Sequence, residues 1–427
     1  MALHLVILDR DNASSDVAGV HPIARLVNSA RQAGIDEITL GTELDSNSLS
    51  RIQGSVPGSS HRQRIRKVSP DVSPGSLGRI GDGDHMVFID TGVLVNGDFY
   101  SFLSRSLEGV EKPVRIRIPD YPNLFWAVPW SYSHLLKDVD LSAAADHFSR
   151  LYPNGQIPEA TPPKDSYVDV SRSRQPRKAE RWLVRQSIKA SDGLVSRYLN
   201  RPISTRITRM LIPYSIRPAQ FTALLALGTL LMLAMLVTGN PLLLAAGCVA
   251  YHILSVLDGT DGELARVKFM STDWGARLDT SVDMATNLLF VLGLHIGLYR
   301  IYGVEYEVFG ELVVFGIGLC ILLLMLLVRF GPGGGSFDIL ARAIEVRIMG
   351  RPRLQRLVAG SMKLFKRDFY ALLFAVLGVL GFARLIPWFL VIGIAGLLTA
   401  IVLNASYILR AQAEDILPEH ILEHRVV

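Results

Sequence analysis

Residues 258–283 read DGTDGELARVKFMSTDWGARLDTSVD, and within them Asp258 and Asp261 stand three apart while Asp279 and Asp283 stand four apart. On a helix, residues three or four apart are surface neighbours, so each pair shares a face. Two such helices facing one another gather four carboxylates. Like charges at that density repel unless cations stand between them, and hard divalent ions favour oxygen ligands of this kind. The spacing therefore predicts a metal site. Apolar runs precede Asp258 and follow Asp283, and ionisable residues at the edge of a membrane segment are costly enough to signal function. Between the pairs lie Gly262, Ala265, Arg266 and Gly275. Small residues let a bulky ligand approach the helix backbone, and an arginine grips a phosphate through two hydrogen bonds. The stretch suits a phosphorylated nucleotide or a pyrophosphate.

Position by position, these residues resemble the signature of the CDP-alcohol phosphotransferases (CDP-alcohol phosphatidyltransferases), D-x-x-D-G-x-x-A-R, eight residues, then G-x-x-x-D-x-x-x-D. Asp258, Asp261, Gly262, Ala265, Arg266, Gly275, Asp279 and Asp283 fill all the fixed places. The resemblance implies an integral membrane enzyme that moves a phosphoalcohol from a CDP-alcohol to an acceptor hydroxyl and releases CMP. It also implies that Asp258, Asp261 and Asp279, with Asp283 contributing, hold Mg2+ or Mn2+, two ions in all. Asp283 is then the general base, and Gly262, Ala265, Arg266 and Gly275 line the nucleotide. A CDP-diacylglycerol donor, an inositol phosphate or other polyol phosphate acceptor, and a homodimer are further expectations of the same kind. Cytoplasm-facing arginines such as Arg206, Arg342 and Arg367 are candidates for the acceptor phosphate.

The chain has 427 residues, 49% of them hydrophobic, with a net charge of +5. That length accommodates two domains, and the hydrophobic fraction is high for a wholly soluble protein. Most long apolar runs lie after Pro218, and basic residues crowd just before them. Basic juxtamembrane residues are drawn to anionic headgroups. No ladder of interleaved aromatic and basic residues argues for nucleic acid. Cys248 and Cys320 both fall in apolar runs, without a CxxC or disulfide spacing. The N-terminal MALHLVILDRD lacks a basic n-region and its apolar run is short for a signal peptide. A cytoplasmic first domain is expected.

Residues 1–151 alternate β-like runs with amphipathic ones, the pattern of an α/β, Rossmann-like domain. LHLVILD reads as a strand, HPIARLVNSARQAG as a helix closed by Gly34, DEITLGT as a second strand, MVFID as a strand ending at Asp90, and NGDFYSFLSRSL as a helix. The stretch from Gly19 to Glu43 resembles sugar-phosphate nucleotidyltransferases, which in some CDP-alcohol phosphotransferases are fused to make the CDP-activated donor. Their glycine-rich, arginine-bearing loop is replaced here by DRDNASSDVAG. Without amides and cations aimed at phosphate a triphosphate is poorly held, so a degenerate, non-catalytic domain is expected. Asp90 reads as a turn residue; as a metal ligand it would support the alternative, a bifunctional enzyme that also makes its donor.

Residues 152–178 are rich in proline, serine and charge and read as a linker. Residues 179–217 mix arginines with apolar residues and read as amphipathic helices on the cytoplasmic membrane face. A Pro-Asn-x-x-Thr sequence opens the first span in the family; here Ala219 replaces the asparagine between Pro218 and Thr222. Residues 218–412 read as an all-α, six-helix transmembrane bundle with spans near 219–238, 241–257, 280–300, 309–329, 369–386 and 388–408, and 413–427 as a cytoplasmic tail. Basic loops after the second and fourth spans place the aspartates and both termini on the cytoplasmic side of a cell (inner) membrane. GPGGGS at 331–336 lacks the GKS or GKT ending of a P-loop, and His420 with His424 lacks a third metal ligand. A cation-coupled transporter is the competing class; it needs neither the A-R pair nor the two glycines, and no inverted repeat is visible.

Overall fold

A computed structural model describes residues 2–9, 16–35, 37–42, 64–69, 83–119, 121, 125–153, 156–171, 176–188, 192–330 and 339–410. The glycine run at 331–336, most of the loop after the first strand, and the tail histidines lie outside these residues. The chain divides into two compact units.

The first unit comprises Met1–Ile188, Thr205–Pro218 and Gly262–Ala276. Its centre is a seven-stranded sheet in the order β3-β2-β1-β4-β7-β6-β8. The strands are β1 (Leu3–Leu8), β2 (Glu37–Gly41), β3 (Arg64–Val68), β4 (His85–Asp90), β6 (Val114–Ile116), β7 (Phe125–Pro129) and β8 (Glu159–Ala160). β1 pairs in parallel with β2 and β4, and β7 runs antiparallel to β4. The apolar run of β1 suits a strand covered on both faces. On one face Leu26, Phe99 and Leu103 pack against Leu5, Ile7 and Ile89; on the other, Phe148 and Leu136 pack against Val6, Phe88 and Trp126.

Helix α1 (Pro22–Gln32) starts where His21 accepts from the Ile23 amide and Pro22 fixes the first turn, and Gly34 at φ +79° turns the chain toward β2. Helix α2 (Gly97–Leu107) is capped by Asn96, which accepts from the Asp98 and Phe99 amides. This is the βαβ unit and following helix read from the sequence. Asp90 accepts from the Gly92 amide at 2.9 Å and from the Tyr121 hydroxyl, which is the geometry of a turn residue.

The stretch 152–178, read as a linker, carries two strands. β8 joins the sheet beside β6, and β9 (Tyr167–Asp169) pairs with β5 (Val93–Val95). Helix α4 (Pro176–Gln186), which follows α3 (Ala144–Leu151), buries Ala179 against Val17, Leu94 and Val168. Protein, not a bilayer, covers that apolar face. Ala18 and Val184 then cluster with Ile212, just past α5 (Arg201–Leu211), and with Val267. Proline and charge concealed these elements because strands of two or three residues leave almost no period to read.

Arg25 ties this cluster together. It is 3% exposed; its Nε and Nη2 donate to the Val17 carbonyl at 2.9 and 2.6 Å, and Nη1 donates to the Val267 carbonyl at 2.8 Å. Its guanidinium also lies 5.6 Å from the centroid of the Phe269 ring. Phe269 sits at φ +53°, and the Met270 amide donates back to the Ala265 carbonyl at 2.8 Å. That is a helix-ending turn in which glycine is usual; an aromatic there costs on the order of 1–3 kcal/mol. Burial lowers the Arg25 pKa to about 9, which leaves it cationic at neutral pH.

His4 offers a pH test of the sheet. It is buried in β1 with Nε2 2.8 Å from the Thr39 hydroxyl. Burial, reinforced by Arg66 and opposed by Asp84, lowers its pKa from 6.5 to about 4. The folded chain keeps the imidazole neutral where the unfolded chain would protonate it. The His4 contribution is therefore fully present above about pH 6.5 and is lost as pH falls toward 4, by up to about 3 kcal/mol. Urea unfolding of this unit at pH 7 and pH 4.5 should show that loss, and His4→Gln should flatten the difference.

The second unit comprises Lys189–Ser204, Ala219–Asp261 and Arg277–Val427. Among the described residues five helices are long and apolar enough to cross a membrane: α6 (Pro218–Leu236), α7 (Pro241–Val267), α8 (Asp273–Tyr302), α9 (Glu305–Phe330) and the stretch Ala383–Arg410, which contains α13 (Ile386–Arg410). Leu227, Leu242, Phe315 and Val402 on them are each more than 60% exposed from protein, as side chains that meet lipid are. This is a membrane protein. Two shorter helices, α10 (Ile339–Ile348) and α11 (Pro352–Leu364), precede α12 (Arg367–Val379). The expected count of six spans is not matched. α12, at the place of the fifth, has 13 residues, about 20 Å of helix against the roughly 30 Å of a hydrocarbon core. Gly381 at φ +78° ends it, with the Phe382 amide returning to the Leu377 carbonyl.

Candidate active site

The motif lies across two helices. Asp258 and Asp261 are on α7, whose helical course continues through Gly262, Ala265 and Arg266 to Val267; Gly275, Asp279 and Asp283 are on α8. Within the second unit α7 and α8 are matched by the Tyr251 ring, stacked on Phe290 at 4.0 Å, and by the Tyr251 hydroxyl donating to Asn287 at 2.6 Å. Asp258 and Asp283 then meet the same cation. One guanidinium nitrogen of Arg367, the first residue of α12, stands 3.3 Å from Asp258 and bonds Asp283. Both carboxylates keep about a third of their surface open to solvent.

Asp261, 3% exposed, is held differently: the Thr222 hydroxyl of α6 donates to it at 2.7 Å. Beside Asp258 the backbone of Gly259 runs close to α5. A Cβ there would stand 2.8 Å from Nη1 of Arg201, whose guanidinium is fixed by Asp192 at 2.6 and 2.8 Å. Gly193 is under similar pressure, since a Cβ would collide with the Asp368 carboxylate that accepts from the Ser196 amide at 2.6 Å.

The small residues of the motif have local packing roles. A Cβ on Gly262 would stand 3.1 Å from the Arg266 guanidinium, and one on Gly275 would stand 2.9 Å from the Thr272 hydroxyl that caps α8 through the Gly275 amide. Arg266 Nε donates to the Ser187 carbonyl at 2.8 Å. Between Asp261 and Ala265, the fully buried Glu263 accepts from the Thr208 hydroxyl at 2.6 Å.

The donor set is all oxygen, and a carboxylate from each of two helices already shares one positive charge. In charge and donor chemistry these residues fit a divalent cation. Among the described residues no group of three or more His, Cys, Asp or Glu is close enough to hold one; the pair brought together is Asp258 with Asp283. Of the candidate acceptor arginines, Arg367 reaches these aspartates, Arg342 is half-buried on α10 and Arg206 is exposed on α5. Arg201, Asp192 and Tyr251 were not singled out in the sequence. Their partners lie nine or more residues away, so no local period points to them. Thr222 had a signal, the threonine four residues after Pro218.

Three comparisons bear on the chain. Bifunctional IPC transferase and DIPP synthase of Aquifex aeolicus is 37% identical over 147 residues, 34% of this chain and 33% of that protein. The protein of the same name from Thermococcus kodakarensis is 37% identical over 119 residues, 27% of this chain and 26% of the relative. The chain thus spans about a third or less of the length of these curated relatives. A solved structure, 4-diphosphocytidyl-2C-methyl-D-erythritol synthase from Anaerococcus prevotii, covers 42% of this chain and 96% of its own at a TM-score of 0.32 and 13% identity. The family model described as CDP-alcohol phosphatidyltransferase matches residues 215–331. That range contains α6, α7 and α8 with all four aspartates, so residues 215–331 carry a CDP-alcohol phosphatidyltransferase domain.

Proposed function

We propose that this chain is an integral membrane transferase that moves a phosphoalcohol, such as a phosphatidyl group, from a CDP-alcohol to an acceptor hydroxyl with release of CMP. One observation carries the reading: Asp258 and Asp283, from the two helices of a matched family domain, converge on one cation. Asp258, Asp261, Asp279 and Asp283 would hold Mg2+ or Mn2+, two ions by family resemblance. Bound there, such an ion supplies a Lewis acid that draws charge onto the departing CMP. Asp283 accepts the proton of the acceptor hydroxyl as its oxygen attacks the β-phosphorus, a role its partial exposure allows. Thr222 orients Asp261, and Tyr251 with Asn287 holds the facing helices in register. Gly262, Ala265, Arg266 and Gly275 serve the nucleotide end, with Arg266 toward phosphate.

CDP-diacylglycerol is the proposed donor, since acyl chains suit a site between membrane helices. An inositol phosphate or another polyol phosphate is the proposed acceptor, supported by the relatives named above. A cytoplasmic active site in the cell membrane and a homodimer complete the reading, the first supported by the basic loops. A second reading has the α/β domain also make the CDP-activated donor. The relatives' printed name, bifunctional, favours it; the hydrogen bonds on Asp90 and the loop without a glycine-rich run favour a non-catalytic domain.

Purified protein in nanodiscs with Mg2+, CDP-diacylglycerol and a panel of acceptor alcohols should release CMP with one acceptor class only. The same panel with CTP replacing the donor reports the second reading through pyrophosphate release. Silence of folded protein across both arms would overturn the transferase reading.

A further inference from the structure

We infer that Arg25 is a positioning residue for the transfer reaction: it fixes the turn behind Arg266, so the unit that holds the sheet also aims the arginine assigned to the nucleotide phosphate. The inference rests on the proposed function for that assignment. Among the described residues two that are not glycine have a left-handed backbone, Ala18 at φ +51° and Phe269 at φ +53°. They belong to the first and the third stretch of the unit, and Arg25 meets both. Its Nη2 stands 3.4 Å from the Ala18 carbonyl, and its guanidinium 5.6 Å from the centroid of the Phe269 ring. Backbone of that kind persists only where its surroundings over-determine it, and it gathers at functional sites. Packing alone would be served by glycine at 269, the usual residue of a helix-ending turn. Phenylalanine adds a face for the Arg25 cation, and with it a fixed geometry.

The grip closes on both sides of Arg266. α7 ends at Val267, whose carbonyl accepts from Arg25 Nη1 at 2.8 Å. One residue on, Lys268, 6% exposed, donates from Nζ to the Tyr214 carbonyl at 2.5 Å. On the other side the buried Glu263 accepts from the Thr208 hydroxyl at 2.6 Å. Arg266 spends its own Nε on the carbonyl of Ser187, the residue after α4, which sets the direction its guanidinium faces. All these groups lie within one compact unit, so the end of α7 is tied to α1 and α5, and Arg266 to the end of α4. A guanidinium grips a phosphate through two directional N–H bonds, and a misplacement of about 1 Å forfeits much of what a positioned group contributes.

The test is steady-state kinetics and CMP binding with the full chain in nanodiscs, well below the thermal midpoint, with Mg2+ and CDP-diacylglycerol. Arg25→Met should raise KM for the donor about tenfold and weaken CMP binding to the same degree, the loss of one well-placed charge-assisted bond, while kcat stays within about twofold. A purely structural role predicts another pattern, since a smaller folded fraction lowers apparent kcat and leaves KM and affinity alone. Phe269→Gly keeps the test decisive if Arg25→Met folds poorly. Glycine accepts the left-handed backbone, so the midpoint should stay within about 3 °C of wild type, while KM and the CMP dissociation constant rise about threefold, the worth of a cation over a ring. Unchanged KM and CMP affinity in the folded variants would overturn the positioning role. A wild type that neither releases nor binds CMP would overturn the transferase reading and this one with it; a wild type that binds CMP without releasing it leaves the binding arm to decide.

Discussion

Asp283→Asn should lower CMP release about 10^3-fold while the protein inserts in membranes and unfolds at an unchanged temperature. Asparagine keeps the size of the side chain and removes its charge, so the packing of α8 is preserved. What disappears is the group that takes the acceptor proton and half of the carboxylate pair around Arg367. The two losses separate under metal titration. A weakened ligand set is rescued by raising Mg2+ or Mn2+, whereas a missing base is not. Asp258→Asn, which removes the partner carboxylate, should recover in part at high metal, and Asp283→Asn should not. Turnover above about a tenth of wild type in Asp283→Asn would remove the base assignment.

Arg25→Met should destabilise the first unit by about 3 kcal/mol or more, the cost of losing charge-assisted hydrogen bonds to two buried carbonyls. Methionine retains much of the side-chain volume but supplies no donor. The carbonyls of Val17 and Val267 then stay buried without the bonds at 2.6 to 2.9 Å that Arg25 provides. Phe269 would lose the cation over its ring and keep its left-handed backbone. For a unit of this size the loss corresponds to a fall in thermal midpoint of roughly 10 °C. Circular dichroism of the purified protein, followed at strand-sensitive wavelengths, measures it. A midpoint within 2–3 °C of wild type, less than about 1 kcal/mol, would show that Arg25 only fills space.

The parts legible in the sequence were those with a strong period or a fixed spacing. β1, α1, β2, β4 and α2 were read with their approximate bounds, because apolar runs, the proline at the start of α1 and Gly34 after it mark them locally. The aspartates form a pattern that their spacing alone displays. Contacts that close over long separations were hidden. Nothing near Arg201 announces Asp192, nothing near Thr222 announces Asp261, and Arg25 reaches across 242 positions to Val267. The count of spans is not matched for a related reason: hydropathy across 369–386 is high, but Gly381 breaks the helix within it. α4 looked amphipathic and is, yet amphipathicity does not say whether lipid or protein covers the apolar face.

Because Thr205–Pro218 and Gly262–Ala276 belong to the same compact unit as the sheet, the α/β portion is not one continuous, interchangeable cassette. A chimera that swapped only the first 188 codons with a relative's would pair a foreign Ala18 and Val184 surface with the native Ile212 and Val267. Recombination that keeps the unit whole has to exchange three separate stretches of coding sequence, and the third runs through the motif residues Gly262 to Gly275. Exchanging the whole unit therefore also exchanges codons of α7 and α8, the helices that carry the aspartates.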